Sequence, residues 1–111
     1  MTHRVVLAAQ ADRELEDAVN WWAEHRSPQQ AARWYAGFSE ALSSLAENPQ
    51  RYPLARENGR FPYELRELHY GVGSRPTHRA VFTVRPEIVL VLSIRHAAQA
   101  ELSEEDLPKQ E

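Results

Sequence analysis

Arginine and histidine at the ends of two neighbouring strand-like segments are the residues of this chain best suited to chemistry. Arg79 opens the run Arg79-Ala80-Val81-Phe82-Thr83-Val84, and Arg95-His96 closes the run that begins at Ile88. Between them Arg85-Pro86-Glu87 reads as a tight turn. If the two runs pair through that turn, Arg79 and Arg95 meet near one end of a sheet, and Arg66 on a neighbouring strand could join them. Clustered guanidinium groups bind phosphate or carboxylate through paired N–H donors. His96 beside them could give or take a proton near neutral pH. The competing reading is purely structural. In it Arg79 and Arg95 pair across strands with Glu64, Glu67 or Glu87, and His96 caps a strand end.

Other chemistries find little support. There is no phosphate-binding loop, no nucleophile elbow and no HExxH. His3, His25, His69, His78 and His96 never fall three or four residues apart, so no metal site is expected. The absence of cysteine excludes disulfides, thiolate metal sites and a thiol nucleophile. No cofactor is implied. Trp22 and Trp34 lie on or beside the inner stripes of helical segments and read as core. Trp21 lies at the edge of its stripe and is the aromatic candidate for contact with a partner.

The elements that must position these residues are well punctuated. Residues 3–7 form a short strand with two β-branched valines. Ala11, Leu15, Ala18, Val19 and Trp22 recur at helical spacing, so a helix should run from about Ala9 to His25. Ser27-Pro28-Gln29-Gln30 is a capping-box pattern with proline at the first helical position. A second helix then runs to about Asn48, with Ala31, Tyr35, Phe38, Leu42 and Leu45 on one face, and Pro49 stops it. Two long helices with a short connection pack antiparallel. Pro49, Pro53, Asn58, Gly59 and Pro62 mark an ordered loop pinned by Tyr52 and Phe61. Strands follow at residues 63–70, 79–84 and 88–95, with a turn at residues 71–76. The last strand is apolar nearly throughout and should be buried on both faces. The fold class is α+β: a β-α-α-β-β-β chain with an N-terminal antiparallel helical hairpin packed on a small, twisted, mainly antiparallel sheet.

Length and charge narrow the picture. At 111 residues one domain is expected, assigned here to residues 1–100, with residues 101–111 as a frayed acidic tail. No stretch is long and apolar enough for a membrane span, and the N-terminus lacks an apolar signal core, so the cytoplasm is the expected compartment. The net charge of −3 argues against nucleic acid as the primary ligand. Its distribution is uneven. Residues 1–50 carry four arginines against seven acids, residues 51–95 eight against four, and the remainder one lysine against five acids. The strand-rich middle is basic and suits an anionic partner.

The order of elements over residues 3–100 resembles the RelE/ParE family of toxins from bacterial toxin–antitoxin pairs. His78-Arg79-Ala80-Val81-Phe82 resembles the family's third strand, and Ile94-Arg95-His96 the end of its fourth. The resemblance implies growth inhibition relieved by a cognate antitoxin. Such antitoxins lay an acidic or amphipathic segment against the toxin, and the groove between hairpin and sheet is the implied seat. Arg66, Arg79, Arg95, His96 and Trp21 are then the candidate residues for binding target or antitoxin, and no sequence-specific DNA binding by the chain alone is implied. RelE-like members cut messenger RNA on the ribosome, and in that case Arg66, Arg79, Arg95 and His96 would be catalytic. ParE-like members poison DNA gyrase. Where the nucleases carry a further Arg and a Tyr, this chain has Ala97-Ala98-Gln99-Ala100, with Gln99 and Ser103 near the required positions and no tyrosine after Tyr70. The resemblance is therefore read as ParE-like and non-enzymatic. The alternatives are a ribosome-dependent mRNA endonuclease and a degenerate toxin fold that only binds its antitoxin.

Overall fold

The computed structural model describes residues 2–71, 76–97 and Leu102. Strand β1 (Arg4–Leu7) leads into helices α1 (Ala9–His25) and α2 (Pro28–Ser43). Two 3-10 turns, Ser44–Ala46 and Pro49–Arg51, precede β2 (Arg66–Tyr70), β3 (His78–Val84) and β4 (Ile88–His96). The strands form one sheet in the order β1-β4-β3-β2. The β2–β3 and β3–β4 pairs are antiparallel, and β1 joins β4 in parallel. This is the α+β hairpin-on-sheet architecture expected from the sequence.

The hairpin turns where the sequence marks it. Ser27 Oγ accepts the Gln30 amide at 3.0 Å, and Pro28 has no amide to satisfy. Ala11 and Leu15 of α1 then meet Trp34, Phe38 and Leu42 of α2 over Leu68, Ala80, Phe82, Val89, Val91 and Ile94 of the sheet. The stripe of α2 differs from the expected one by a single position. Trp34 is fully buried, whereas Tyr35 is 47% exposed. Both positions border the stripe at helical spacing, and the larger apolar ring takes the inner one, against Tyr70 and His78. Gly37 has a steric reason to lack a side chain, since a Cβ there would lie 2.0 Å from Tyr70 Oη. That close approach lets the Tyr70 ring stack on Phe38 at 4.9 Å.

A second cluster covers the other face of the sheet. Ala8, Ala55, Leu65, Val81, Leu90, Leu92 and Leu102 pack together there, with Phe61 and Tyr63 against them. The loop after α2 thus acts as a cover. Its other ring, Tyr52, meets Phe82 edge-on at 6.1 Å on the helix side. The loop also shortens β2 relative to the expected strand at 63–70. Leu65 pairs instead with the loop, accepting the Ala55 amide at 2.8 Å and donating its own amide to Asn58 Oδ1 at 2.9 Å. Helix α2 ends at Ser43 rather than near Asn48. Ser44 Oγ bonds the Ala41 carbonyl at 2.6 Å, the chain tightens into a 3-10 turn, and Asn48 adopts φ 52° ahead of Pro49.

Strand β4 is buried from Val89 to Arg95, as its apolar run predicts. It carries a β-bulge, because Val81 pairs with Ser93 while Phe82 pairs with Val91, which leaves Leu92 without an opposite residue. Glu14 of α1 spans the irregularity. Its Oε1 accepts Ser93 Oγ at 2.8 Å and the Ile94 amide at 2.9 Å, fixing helix and strand in register. Leu102, read from sequence as part of a frayed tail, is buried in the outer cluster. Residue 101, residues 103–111, the domain boundary at residue 100 and most of the turn at 71–76 lie outside the described residues.

Candidate functional site

The β3–β4 pairing brings the two sequence-predicted ends together. Arg79 lies opposite Arg95, and His78 opposite His96. Side chains alternate across a sheet, so the arginine pair and the histidine pair point to opposite faces. The arginines share the outer face with the loop, and the histidines share the inner face with the helices.

On the outer face Arg79 is fully buried. Its Nη1 donates to Glu57 Oε1 at 3.0 Å and to Glu67 Oε1 at 2.9 Å, while Nη2 donates to Glu57 Oε2. Glu57 is also fully buried and accepts the Leu102 amide at 2.8 Å. Burial alone would raise the Glu57 carboxyl, but the Arg79 hydrogen bonds and charge and the Leu102 amide outweigh it. They hold that carboxyl below its ordinary value. Glu67 extends the network to His69 Nε2 at 2.9 Å. Arg95 is 7% exposed. Cross-strand pairing with Glu67 is legible in the sequence. The bidentate partner Glu57 is not, because it sits on a loop whose path no local pattern sets.

Arg66 lies elsewhere. It faces Phe82, whereas Arg79 is paired with His69 of the same strand. Its guanidinium bonds Glu64 at 2.9 Å and the carbonyls of Gln50 at 3.0 Å and Tyr52 at 2.6 Å. It ties β2 to the chain leaving α2 and does not join the other two arginines.

On the inner face, Trp21 and His96 border the same cleft of about 560 Å³ between α1 and the sheet end. Trp22, Ala18, Arg26 and His78 also line it. His78 lies edge-on to Trp34 at 5.0 Å and to His96 at 5.3 Å. Burial, and secondarily the neighbouring His96, push His78 down to about 4, so its ring is neutral at pH 7. Trp21 is 46% exposed and stacks on His25 at 4.8 Å. Its open face and the apolar cleft beside it form an aromatic surface. Among the described residues no three metal-ligand side chains converge, and no helix is long and apolar enough to cross a membrane.

A family model described as the ParE toxin of the type II toxin–antitoxin system parDE matches residues 5–101. The chain belongs to the ParE toxin family. No curated protein matches it. Among solved structures, a chain of the chromosomal ParDE toxin–antitoxin system from P. aeruginosa is similar in fold, with a TM-score of 0.69 at 17% identity. The match covers 86% of this chain and 96% of the other. The ParE fold is therefore retained here on a very different sequence, with the arginines largely enclosed and the aromatic cleft open.

Proposed function

We propose that this ParE-family chain is the toxin of a type II toxin–antitoxin pair, that a co-encoded antitoxin neutralises it, and that it arrests growth by poisoning DNA gyrase. The observation that carries the choice of target is the enclosure of Arg79. A nuclease needs that guanidinium facing the scissile phosphate to stabilise developing charge. Here its Nη1 and Nη2 donors are engaged by Glu57 and Glu67 inside the protein. The antitoxin seats on the inner face, where Trp21 and His96 border the aromatic cleft. Arg66, Arg79 and Arg95 shape the sheet beneath it. Both candidate targets are cytoplasmic, so the toxin acts in the cytoplasm.

The test sets two assays side by side. Purified protein should inhibit gyrase supercoiling or trap its cleavage complex, and should leave messenger RNA intact in a translating extract. Codon-positioned cuts that vanish in Arg79→Ala would instead establish the endonuclease reading. Inactivity in both assays, with tight antitoxin binding retained, would leave a degenerate fold that only binds.

A further inference from the structure

The sheet has two edges, β1 and β2, and the chain covers them unequally. Along β2 the loop at residues 53–55 serves as a partial further strand. The Glu67 amide donates to the Pro53 carbonyl at 3.0 Å, the Ala55 amide donates to the Leu65 carbonyl at 2.8 Å, and Leu54 bridges Arg66. Along β1 the cover stops early. Thr2 bridges Glu47 and the His3 amide donates to the Ala46 carbonyl at 2.8 Å. Beyond them the edge lies open. Alternate residues of a strand turn their backbone groups toward the same neighbour. The Arg4 and Ala8 amides donate to the Glu87 and Val91 carbonyls at 3.0 and 2.9 Å, so Arg4, Val6 and Ala8 face β4. Val5 and Leu7 therefore turn N–H and C=O outward, and among the described residues no bond reaches them there. The side chains of Val5, Val6 and Leu7 are half-buried. An edge with unpaired backbone, apolar side chains and neither proline nor lysine is a template for another strand.

We propose that the β1 edge pairs with the same edge of a second copy of this chain, joining two sheets into one. The shape of the slot selects the occupant. It runs from Arg4 to Ala8, closed at one end by Ala46 beside His3 and at the other by the start of α1 at Ala9. The strand that fits it is short and apolar, as β1 itself is. An antiparallel copy with its two-fold axis at Val6 uses every free group. Val5 meets Leu7 of the second copy and Leu7 meets its Val5, each pair exchanging two hydrogen bonds. Val6 then faces Val6 of the second copy in the close position between those pairs. An axis at Val5 would set Leu7 against His3, whose amide is taken, and an axis at Leu7 would set Val5 against helical Ala9. Charge agrees with the choice. Arg4 is the charged residue of β1, and in this register it lies opposite Ala8, which keeps the two guanidinium groups about 13 Å apart along the strands. Two short strands make a small interface of the transient class, so the Kd should be on the order of 100 μM.

The experiment follows the isolated full-length protein by sedimentation and by amide hydrogen exchange between about 5 μM and about 1 mM. The mass should rise from monomer toward dimer. The Val5 and Leu7 amides should exchange about fivefold more slowly at the upper concentration, because about a fifth of the chains remain monomeric there. The Arg4 amide, already bonded to Glu87, should not change. Val6→Lys sets like charges face to face and should abolish the dimer, as should Val6→Glu. An equimolar mixture of the two variants should restore it. If either variant fails to fold, exchange in the unaltered protein decides alone. A monomer mass throughout would overturn the proposal. A dimer with unprotected Val5 and Leu7 amides, or one that survives Val6→Lys, would place the contact elsewhere and overturn the edge. Protection of both amides without a change in mass would mean that the chain covers its own edge. Protection that appears only on adding the antitoxin would give the edge to an antitoxin strand. Either result removes the second copy as occupant.

Discussion

The two faces of the β3–β4 end use neighbouring residues for opposite purposes. His78 and His96 look into an open aromatic cleft; Arg79 and Arg95, one step along each strand, look into a closed one. On the outer face Arg79, Glu57 and Glu67 are desolvated and paired, so removing one partner strands another in the interior. On the inner face His96 is exposed and His78 half-buried at the rim of an open cleft, with no charge locked between them. A single residue of alternation separates a structural network from the surface we propose for a partner.

The sharpest way to break this contrast is Arg79→Ala. It leaves the fully buried Glu57 without its cation and should cost about 3–5 kcal/mol by chemical denaturation. A loss below about 1 kcal/mol would mean that the outer face is wet and the contrast false. The helix-side core offers a comparison of similar size, since Phe38→Ala should also cost about 3–5 kcal/mol.

Next in size is Gly37→Ala. The added methyl collides with Tyr70 Oη and should force the Tyr70 ring off Phe38, costing about 1–3 kcal/mol. Adding Tyr70→Phe removes the colliding oxygen and should recover part of that loss. No recovery would point to helix strain rather than the hydroxyl.

Acid separates the faces by pH window. His78 is held neutral when folded, so the unfolded chain binds the proton first. Its contribution is intact above 6.5 and is lost as the pH falls toward about 4. Glu57 is held ionised when folded, so its contribution is intact above the ordinary 4.5 and is lost as the pH falls through its lower folded value. Urea midpoints across this range should decline in two stages. His78→Gln should flatten the first and Glu57→Gln the second. If both variants flatten the same stage, the two networks are coupled and the division of faces is wrong.

The smallest effect on stability belongs to Trp21→Ala, within about 0.5 kcal/mol because the ring is largely outside the core. The same change should weaken antitoxin binding measured by calorimetry. A stability loss of several kcal/mol with unchanged binding would reverse the assignment of Trp21.

The framework was legible because its signals are local. The capping box at Ser27, the stripe of α1 and the apolar run of β4 each report on a few neighbouring residues, and all three appear as expected. The meeting of Arg79 with Arg95 also followed from counting outward from the Arg85-Pro86-Glu87 turn. What the pattern could not carry was direction and cover. Whether a strand-end arginine faces solvent depends on what lies over it, and the loop bearing Glu57 reaches Arg79 across twenty-two positions of chain. The burial of Leu102 depends on the same distant carboxylate. The choice of Trp34 over Tyr35 was decided by partners on β2 and β3, not by helical spacing, which admits both.

The parallel pairing of β1 with β4 bears on how the molecule comes into being. Arg4 is matched with Ile88 and Leu7 with Val91, so among the described strands β1 is completed by β4, more than eighty positions later. During synthesis the helical hairpin emerges early, with the apolar flank of Trp34 and Phe38 lacking the sheet that will cover it. Such long-range closure is slow compared with helix formation. A chain cut short before Ile88 would keep the hairpin and lose β4, and with it both the parallel edge and the His78–His96 pair. Competence should therefore arrive late and all at once, once Ile88–His96 has been made and can close the sheet.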